Sequence, residues 1–169
     1  VGGRAAARPR AGPRRRCRRP LTASVKTLVL VRHGQSTWNV EHRIQGQADP
    51  SLSPLGQAQA DRTAAWLADA YPQARVVTSD LARCHETAAP LATALGLAAE
   101  AHRGLRERDF GAWTGHLHGE VAERWPELHR TWRAGGDVID EVGGETTPTL
   151  VDRVLGALED VLAATAEGD

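Results

Sequence analysis

One stretch decides how this sequence folds: Val29-Leu30-Val31-Arg32-His33-Gly34-Gln35. Its apolar half predicts a buried strand over residues 26–31, and its polar half follows where that strand ends. In an open α/β sheet, ligands bind at the edge formed by the carboxyl ends of the strands. A histidine beside an arginine at that edge suits attack on phosphorus, because imidazole is a nucleophile and guanidinium binds phosphoryl oxygens as a fork.

The composition is that of a globular chain with an uneven distribution of charge. With 169 residues, 41% of them hydrophobic and 25% charged, the chain is long enough for one ordinary domain. The formal net charge is zero, yet residues 1–20 hold eight arginines and no acidic residue. The remainder holds 13 basic and 21 acidic residues, so a basic tail precedes an acidic domain.

The basic tail, residues 1–24, is predicted to be disordered, because Arg, Ala, Pro and Gly cannot supply a core. Residues 25–169 are predicted to form one domain. Three roles stay open for the tail: binding of nucleic acid or another acidic surface, a transit-like segment, and translated upstream sequence without a selected role. We favour the third, and the absence of aromatic residues among the arginines argues against a base-stacking site.

Other patterns bear on the compartment and on metals. Cys17 and Cys84 stand in neither a metal-type nor a redox-type spacing, which predicts free thiols in the cytoplasm. No apolar run reaches transmembrane length and residues 1–20 lack the apolar segment of a signal peptide, so no membrane is expected. His116 and His118 have no companion ligands at metal spacing, and no glycine-rich nucleotide loop occurs. We therefore expect neither a metal nor a cofactor.

Strands and helices alternate along the domain. Ser53 and Pro54 predict the start of a helix that reaches about Tyr71, since serine is a favoured N-cap and proline a favoured first residue. Next come a strand over residues 74–78 and a helix capped by Ser79 and ended by Gly96, which Pro90 should kink or break. The later predictions are a strand over residues 97–101, helical residues 119–134 interrupted at Pro126, and a last helix opened by Thr147-Pro148. The alternation predicts an α/β fold with a mostly parallel, doubly wound sheet and helices on both faces.

Six motifs, in order, resemble the histidine phosphatase (phosphoglycerate mutase-like) superfamily. They are Arg32-His33-Gly34-Gln35-Ser36-Thr37-Trp38-Asn39, Arg43-Ile44-Gln45-Gly46-Gln47-Ala48-Asp49, Leu52-Ser53-Pro54-Leu55-Gly56-Gln57-Ala58-Gln59-Ala60, Thr78-Ser79-Asp80-Leu81-Ala82-Arg83 with Thr87-Ala88, Leu105-Arg106-Glu107-Arg108-Asp109-Phe110-Gly111, and Gly143-Gly144-Glu145-Thr146. The resemblance spans about residues 26–166 and implies the phosphoglycerate mutase-like form of the α/β fold.

The resemblance also implies the site residues. His33 is the implied nucleophile, which would carry a phosphohistidine intermediate, and Glu107 is the implied general acid and base. Arg32 and Arg83 would hold the phosphoryl group, whose transition state spreads negative charge over its oxygens. The implied lining of the phosphate and substrate entrance consists of Asn39, Gln45 and Gly46.

The family pattern includes a second histidine, in a Ser/Ala-His-Gly that follows a late strand, and this sequence lacks it. His-Gly occurs at residues 33–34 and 118–119, and the second pair precedes the Gly143-Gly144-Glu145-Thr146 motif instead of following it. We therefore expect a chain that is truncated before the second catalytic histidine, with the C-terminal strand of the sheet missing. That strand is expected beside the first, so its absence would expose an edge and lower both stability and activity.

The resemblance implies a hydrolase that removes phosphate from small phosphorylated metabolites through a phosphohistidine. Two alternatives stay open: a phosphoglycerate mutase, and a truncated, inactive remnant that binds phosphate. Between Gly111 and Gly143 the basic side chains are arginines without a lysine, which favours a phosphatase over a mutase. The stretch from Arg43 to Asp49 is similar to small-metabolite phosphatases, glucosyl-3-phosphoglycerate phosphatases among them. The substrate and the oligomeric state, a homodimer included, stay open.

Overall fold

The computed structural model describes residues 26–165, and the predictions for the basic tail lie outside these residues. Helices α1 to α6 span Thr37–Val40, Pro54–Ala70, Ala82–Ala94, His118–Arg124, Pro126–Arg133 and Thr147–Ala164. Strands β1 and β2 span Val77–Thr78 and Glu100–Ala101, and short 3₁₀ turns span Arg103–Leu105, Gly111–Trp113 and Ile139–Val142. No helix in this part of the chain is long and apolar enough to cross a membrane.

The N-terminal ends of α2 and α6 form as the sequence predicts. The Oγ of Ser53 accepts a hydrogen bond of 3.1 Å from the amide of Gly56, and Pro54 is the first residue of α2. At the start of α6, the Oγ1 of Thr146 accepts a 3.3 Å hydrogen bond from the amide of Thr149. In both helices a hydroxyl satisfies an amide that the helix leaves without an internal acceptor.

Helix α3 ends as predicted but does not begin as predicted. Gly96 follows its last turn with a φ of +68°, a left-handed conformation that favours glycine after a helix. The prediction that Ser79 caps the helix is wrong, because the helix begins at Ala82 and the Oγ of Ser79 accepts from the amide of Leu81 in the preceding turn. Pro90 lies inside the helix without ending it.

The sheet of the described chain consists of β1 and β2, which are parallel. Val77 lies opposite Glu100, and α3 connects the two strands. Both strands fall within the ranges predicted for them, although each is shorter. A helical crossover between neighbouring parallel strands is the expected connection for such a pair.

The strand predicted over residues 26–31 is not formed. Within residues 26–165 no strand pairs with this segment, and the side chain of Leu30 is 78% exposed. The physical reason is that a strand requires a neighbour for its N–H and C=O groups, which an apolar run does not itself supply. The segment is tied down at its start, where the Nζ of Lys26 donates 2.8 Å hydrogen bonds to the carbonyls of Leu162 and Thr165.

Two packed regions flank the polar motifs. Helices α2 and α3 pack against each other. A cluster of buried apolar residues forms on the other side, namely Ile44, Trp113, Val121, Val138, Ile139 and Val142. Ile44 immediately precedes the loop of residues 45–49, so this loop runs from the second region towards the helix that carries Arg83.

Candidate active site

A buried arginine forms the centre of the site. Arg83 lies in the first turn of α3 and is only 1% exposed. Its Nη1 and Nη2 donate 2.9 Å hydrogen bonds to the carbonyls of Ala48 and Gly46. Among residues 26–165, no carboxylate pairs with this guanidinium. A buried cation held by neutral carbonyls keeps a positive potential that attracts an anion.

The imidazole of His33 faces this arginine. Its Nδ1 lies 2.7 Å from the carbonyl oxygen of Gly34, and because a carbonyl can only accept, Nδ1 carries the proton. Its Nε2 accepts a 3.3 Å hydrogen bond from the Nε of Arg83. The ring is therefore neutral, and the lone pair of Nε2 faces the positive centre of the site.

The surroundings of His33 favour its neutral form. Burial lowers the pKa of the imidazole below its usual 6.5, and the positive charges of Arg83 and Arg32 lower it further. The hydrogen bond to the Gly34 carbonyl and the charge of Glu107 act in the opposite direction without reversing the shift. An unprotonated imidazole at neutral pH is the form that can attack an electrophile.

Thr87 links the backbone next to His33 to α3, the helix that carries Arg83. The Oγ1 of Thr87 accepts a 3.0 Å hydrogen bond from the amide of Gly34 and donates one of 2.6 Å to the carbonyl of Arg83. Thr87 lies four residues after Arg83, on the same side of α3. One hydroxyl therefore contacts the backbone of both segments.

Asn39 and Gln45 present amide groups near the same segment. The Oδ1 of Asn39 accepts a 3.0 Å hydrogen bond from the amide of Ser36 in the capping box that begins α1. The Oγ of Ser36, which is fully buried, lies 2.6 Å from the Oε1 of Gln45. Because these carbonyl oxygens already accept, the NH₂ groups of both side chains remain available to donate.

The loop of residues 45–49 is fastened to α3 at both of its ends. Besides the bonds from Arg83, the carboxylate of Asp49 accepts a 2.5 Å hydrogen bond from the amide of Ala82, the first residue of the helix. This distant carboxylate takes the place of the cap predicted at Ser79. A carboxylate at a helix N-terminus stabilises both the free amide and the helix dipole.

Glu107 and Arg32 lie at the exposed side of the site. The Oε1 of Glu107 accepts a 2.8 Å hydrogen bond from the amide of Arg108, and its backbone carbonyl accepts one of 3.3 Å from Gln47. Both Glu107 and Arg32 are exposed, and both are close enough to influence the pKa of His33. The structure thus brings all the predicted site residues into one region, around His33 and Arg83.

Four further residues shape the site without having been assigned a role from the sequence. They are Ser36, Asp49, Thr87 and Arg153. The first three belong to the quoted motifs, and the spacing of Thr87 from Arg83 is a helical signal that could have identified it. Arg153 donates to the carbonyls of Gly104 and Arg106, and it had no such signal because these two partners lie more than forty residues away in the chain.

The arrangement is suited to chemistry on an anion. The unprotonated Nε2 of His33 contacts the buried cation of Arg83, and amide donors and the exposed carboxyl group of Glu107 lie on neighbouring segments. A family model described as the histidine phosphatase superfamily, branch 1, matches residues 28–169. The chain belongs to this superfamily.

Curated relatives carry the names of several enzymes. Phosphoserine phosphatase 1 of Hydrogenobacter thermophilus is 37% identical over 134 residues, which cover 79% of this chain and 63% of that protein. Glucosyl-3-phosphoglycerate phosphatase of Mycobacterium tuberculosis is 35% identical over 141 residues, with the same coverages of 79% and 63%. Phosphoglycerate mutase-like protein 4 of Arabidopsis thaliana is 37% identical over 78% of this chain. The chain spans between 35% and 63% of the length of these and other curated relatives that it matches.

Solved structures agree with the family. A mycobacterial glucosyl-3-phosphoglycerate phosphatase in complex with VO3 matches with a TM-score of 0.68 and 32% identity, over 80% of this chain and 66% of the other. The Bacillus stearothermophilus protein YhfR matches with a TM-score of 0.69 and 28% identity, over 78% and 65% of the two chains. These matches confirm the predicted α/β fold of the phosphoglycerate mutase-like type.

Proposed function

We propose that the protein hydrolyses phosphate monoesters through a phosphohistidine formed at Nε2 of His33. One observation carries the proposal: the unprotonated Nε2 faces the guanidinium of Arg83, a buried cation with no carboxylate partner among residues 26–165. A buried positive charge without a counter-charge favours an anionic ligand, and a phosphoryl group bound there would lie beside the nucleophile.

The first step transfers the phosphoryl group to the enzyme. The lone pair of Nε2 forms a bond to phosphorus while the ester P–O bond breaks, and Glu107 gives its proton to the departing alkoxide. The carbonyl of Gly34 holds the Nδ1–H and steadies the positive charge that develops on the ring. The products of this step are the alcohol, a phosphohistidine and the Glu107 carboxylate.

The second step returns the enzyme to its initial state. The Glu107 carboxylate takes a proton from water, whose oxygen attacks phosphorus as the P–N bond breaks. Inorganic phosphate leaves, the electron pair returns to Nε2, and Glu107 is again protonated. Glu107 suits this role because its side chain is exposed and can meet both the alcohol and water.

The phosphoryl oxygens have several donors to meet during both steps. We assign this function to the remaining N–H groups of Arg83, to Arg32 and to the amide groups of Asn39 and Gln45. Gly46 contributes its carbonyl, which fixes the Arg83 fork. The transition state carries its negative charge on these oxygens, so fixed cations and dipoles stabilise it.

We infer that the substrate is a small phosphorylated metabolite and that the reaction takes place in the cytoplasm. Two relatives are named as phosphatases of phosphoserine and of glucosyl-3-phosphoglycerate, and these names support the substrate class. Cys84 has no disulfide partner among residues 26–165, which suits a reducing compartment.

Labelling tests the proposal directly. The protein is mixed with a monoester labelled with ³²P in its phosphoryl group, stopped in alkali, where a P–N bond survives, and digested to locate the label. We expect label on His33 and none in His33→Ala, whereas the exposed His85→Ala serves as the matched control and retains it. Label that persists in His33→Ala overturns the proposal. Isomerisation that requires a bisphosphate primer indicates a mutase instead, and phosphate binding without label or turnover indicates a non-catalytic remnant.

A further inference from the structure

The segment that carries Glu107 is fastened to α6 by one side chain, Arg153. Its Nη1 donates hydrogen bonds of 2.8 and 3.0 Å to the carbonyls of Gly104 and Arg106, and its Nη2 lies 3.4 Å from the carbonyl of Glu107. We propose that Arg153 is a positioning residue, which orients the general acid Glu107 towards the leaving group. The inference rests on the function proposed above, and it adds a residue that touches no substrate.

The guanidinium of Arg153 is itself fixed by an acidic partner. Its Nε and Nη2 donate to the two carboxylate oxygens of Glu145 at 2.7 and 2.6 Å. The side chains of this pair are 23% and 10% exposed, so the pair is more enclosed than an ordinary surface ion pair. The bidentate geometry leaves the other edge of the guanidinium aimed at the 104–107 segment.

Glu145 holds the same segment from its far side. Its amide donates a 2.9 Å hydrogen bond to the carbonyl of Asp109, and its own carbonyl accepts one of 2.7 Å from the Nε of Arg108. Glu107 therefore lies between two points that are attached to the Arg153–Glu145 pair. Displacing that pair would release the backbone on both sides of the acid.

Close packing on α6 completes the attachment. A Cβ added at Gly104 would lie 2.7 Å from the Cβ of Ala157, so only glycine lets the turn approach the helix this closely. Ala157 is 3% exposed and lies one helical turn after Arg153. The turn therefore packs against α6 at Ala157 and is hydrogen-bonded to the same helix at Arg153.

Glu107 depends on this attachment because its side chain has little support of its own. The hydrogen bond that the structure gives its carboxylate comes from the amide of Arg108, the next residue in the chain. The direction of the carboxyl group therefore follows the backbone of residues 104–108. A small displacement of a catalytic group is enough to lower the rate of its proton transfer.

A second ion pair provides a matched control. The Nε and Nη2 of Arg75 donate to the two carboxylate oxygens of Glu100 at 2.6 Å each, and its Nη1 donates to the carbonyl of Val161 in α6. Arg75 thus forms the same bidentate pair with a carboxylate as Arg153, but these bonds join it to β2 and α6 and not to the 104–107 segment. A merely structural role would make the two arginines equivalent.

The leaving group of the substrate distinguishes positioning of an acid from general stability. An alkyl phosphate needs its departing oxygen protonated, whereas 4-nitrophenyl phosphate releases a stable anion that does not. We expect Arg153→Lys, which keeps the charge but loses the fork, to lower kcat/KM about 10- to 100-fold for an alkyl phosphate. For 4-nitrophenyl phosphate, kcat/KM of Arg153→Lys should fall by no more than about threefold. Glu107→Gln should likewise lose more kcat/KM on the alkyl phosphate than on 4-nitrophenyl phosphate. Arg75→Lys should leave the ratio of the two kcat/KM values unchanged.

Equal losses on both substrates in Arg153→Lys, or no loss on either, would overturn the inference. If His33 of the wild-type protein acquires no ³²P label, or if Glu107→Gln lowers activity equally on both substrates, the result counts against the proposed function instead. Amide hydrogen exchange provides a readout that does not require turnover. We expect faster exchange over residues 103–108 in Arg153→Lys than in Arg75→Lys, and equal exchange in the two variants would contradict the attachment.

Discussion

The Nε of Arg83 lies 3.3 Å from the Nε2 of His33 and donates a hydrogen bond to it. This contact joins a buried cation to the lone pair of the proposed nucleophile. A proton on Nε2 would replace that hydrogen bond by repulsion between two positive charges. The contact therefore connects the protonation of the site, the position of the ring and the binding of an anion.

We predict that His33 titrates below pH 6.5 and that kcat/KM rises as pH increases through its pKa, because the neutral ring is the proposed nucleophile. NMR of histidine-labelled protein measures the pKa, with His33→Gln identifying the signal. Arg83→Gln should raise this pKa, whereas Arg62→Gln, at an exposed position on α2, should not. A pKa at or above 6.5 in wild type would contradict the reasoning.

The same lowered pKa affects stability. Folded His33 binds its proton less tightly than the unfolded chain, so the unfolded state binds more protons between the two pKa values. The contribution of His33 to the free energy of unfolding is therefore fully present above pH 6.5 and decreases as the pH falls towards the folded pKa. Denaturant titrations of wild type and His33→Gln over that range measure the difference.

Thr87→Val is predicted to lower both activity and stability. The substitution leaves the buried amide of Gly34 without its acceptor, which costs about 1–3 kcal/mol of unfolding free energy, and frees the His33 segment from α3. We expect kcat to fall about tenfold with a smaller change in KM, since geometry and not charge is altered. Thr87→Ser keeps the hydroxyl and should restore most of the activity.

Thr93→Val is the control for this substitution, because Thr93 lies on the same helix with an exposed side chain. It should leave kcat unchanged. If Thr87→Ser lost as much kcat as Thr87→Val, the hydroxyl would not be what positions His33.

How much of the molecule could be predicted depends on the range of the interactions. The N-terminal ends of α2 and α6 follow from Ser53, Pro54 and Thr147-Pro148, because capping acts within a few residues. The apolar run of residues 26–31 could not establish that a strand forms there, since a strand needs a second strand, from another part of the chain, to pair with. Leu30 is therefore exposed where the pattern indicated burial.

The site shows the same division. His33, Arg83 and Glu107 were predicted as site residues because they stand in motifs that resemble a family. Asp49 as the cap of α3 and Arg153 as the attachment of the Glu107 segment were not, because each bonds across more than thirty residues. The bond of Asp49 to Ala82 also displaced the predicted role of Ser79, whose hydroxyl was the nearest local candidate.

Asp49→Ala is predicted to destabilise the protein through α3. The carboxylate is the acceptor for the Ala82 amide, and loss of such a cap costs about 0.5–2 kcal/mol. Asp61→Ala removes an exposed carboxylate from α2 and should cost less than about 0.5 kcal/mol. Urea denaturation of both variants measures the difference, and equal midpoints would show that the cap does not contribute.

Gly46→Ala is predicted to weaken the binding of phosphate. Gly46 has a φ of +50°, and an added Cβ would lie 3.0 Å from the Oγ1 of Thr114 and 3.2 Å from the amide of Phe110. Either these neighbours or the loop must therefore give way, and we expect a shift of the Gly46 carbonyl that holds Nη2 of Arg83. Inhibition of turnover by inorganic phosphate measures the effect, and we expect an inhibition constant about tenfold higher, or about 1.4 kcal/mol of lost binding.

Gly96→Ala separates crowding from backbone strain. Gly96 also has a positive φ, +68°, but an added Cβ there would meet nothing within 4 Å. Both variants therefore carry the cost of a left-handed alanine, which is about 1 kcal/mol, whereas only Gly46→Ala disturbs the Arg83 fork. A loss of phosphate affinity in Gly46→Ala that Gly96→Ala does not share would confirm that Gly46 fixes the arginine, and equal affinities would show that the fork holds without it.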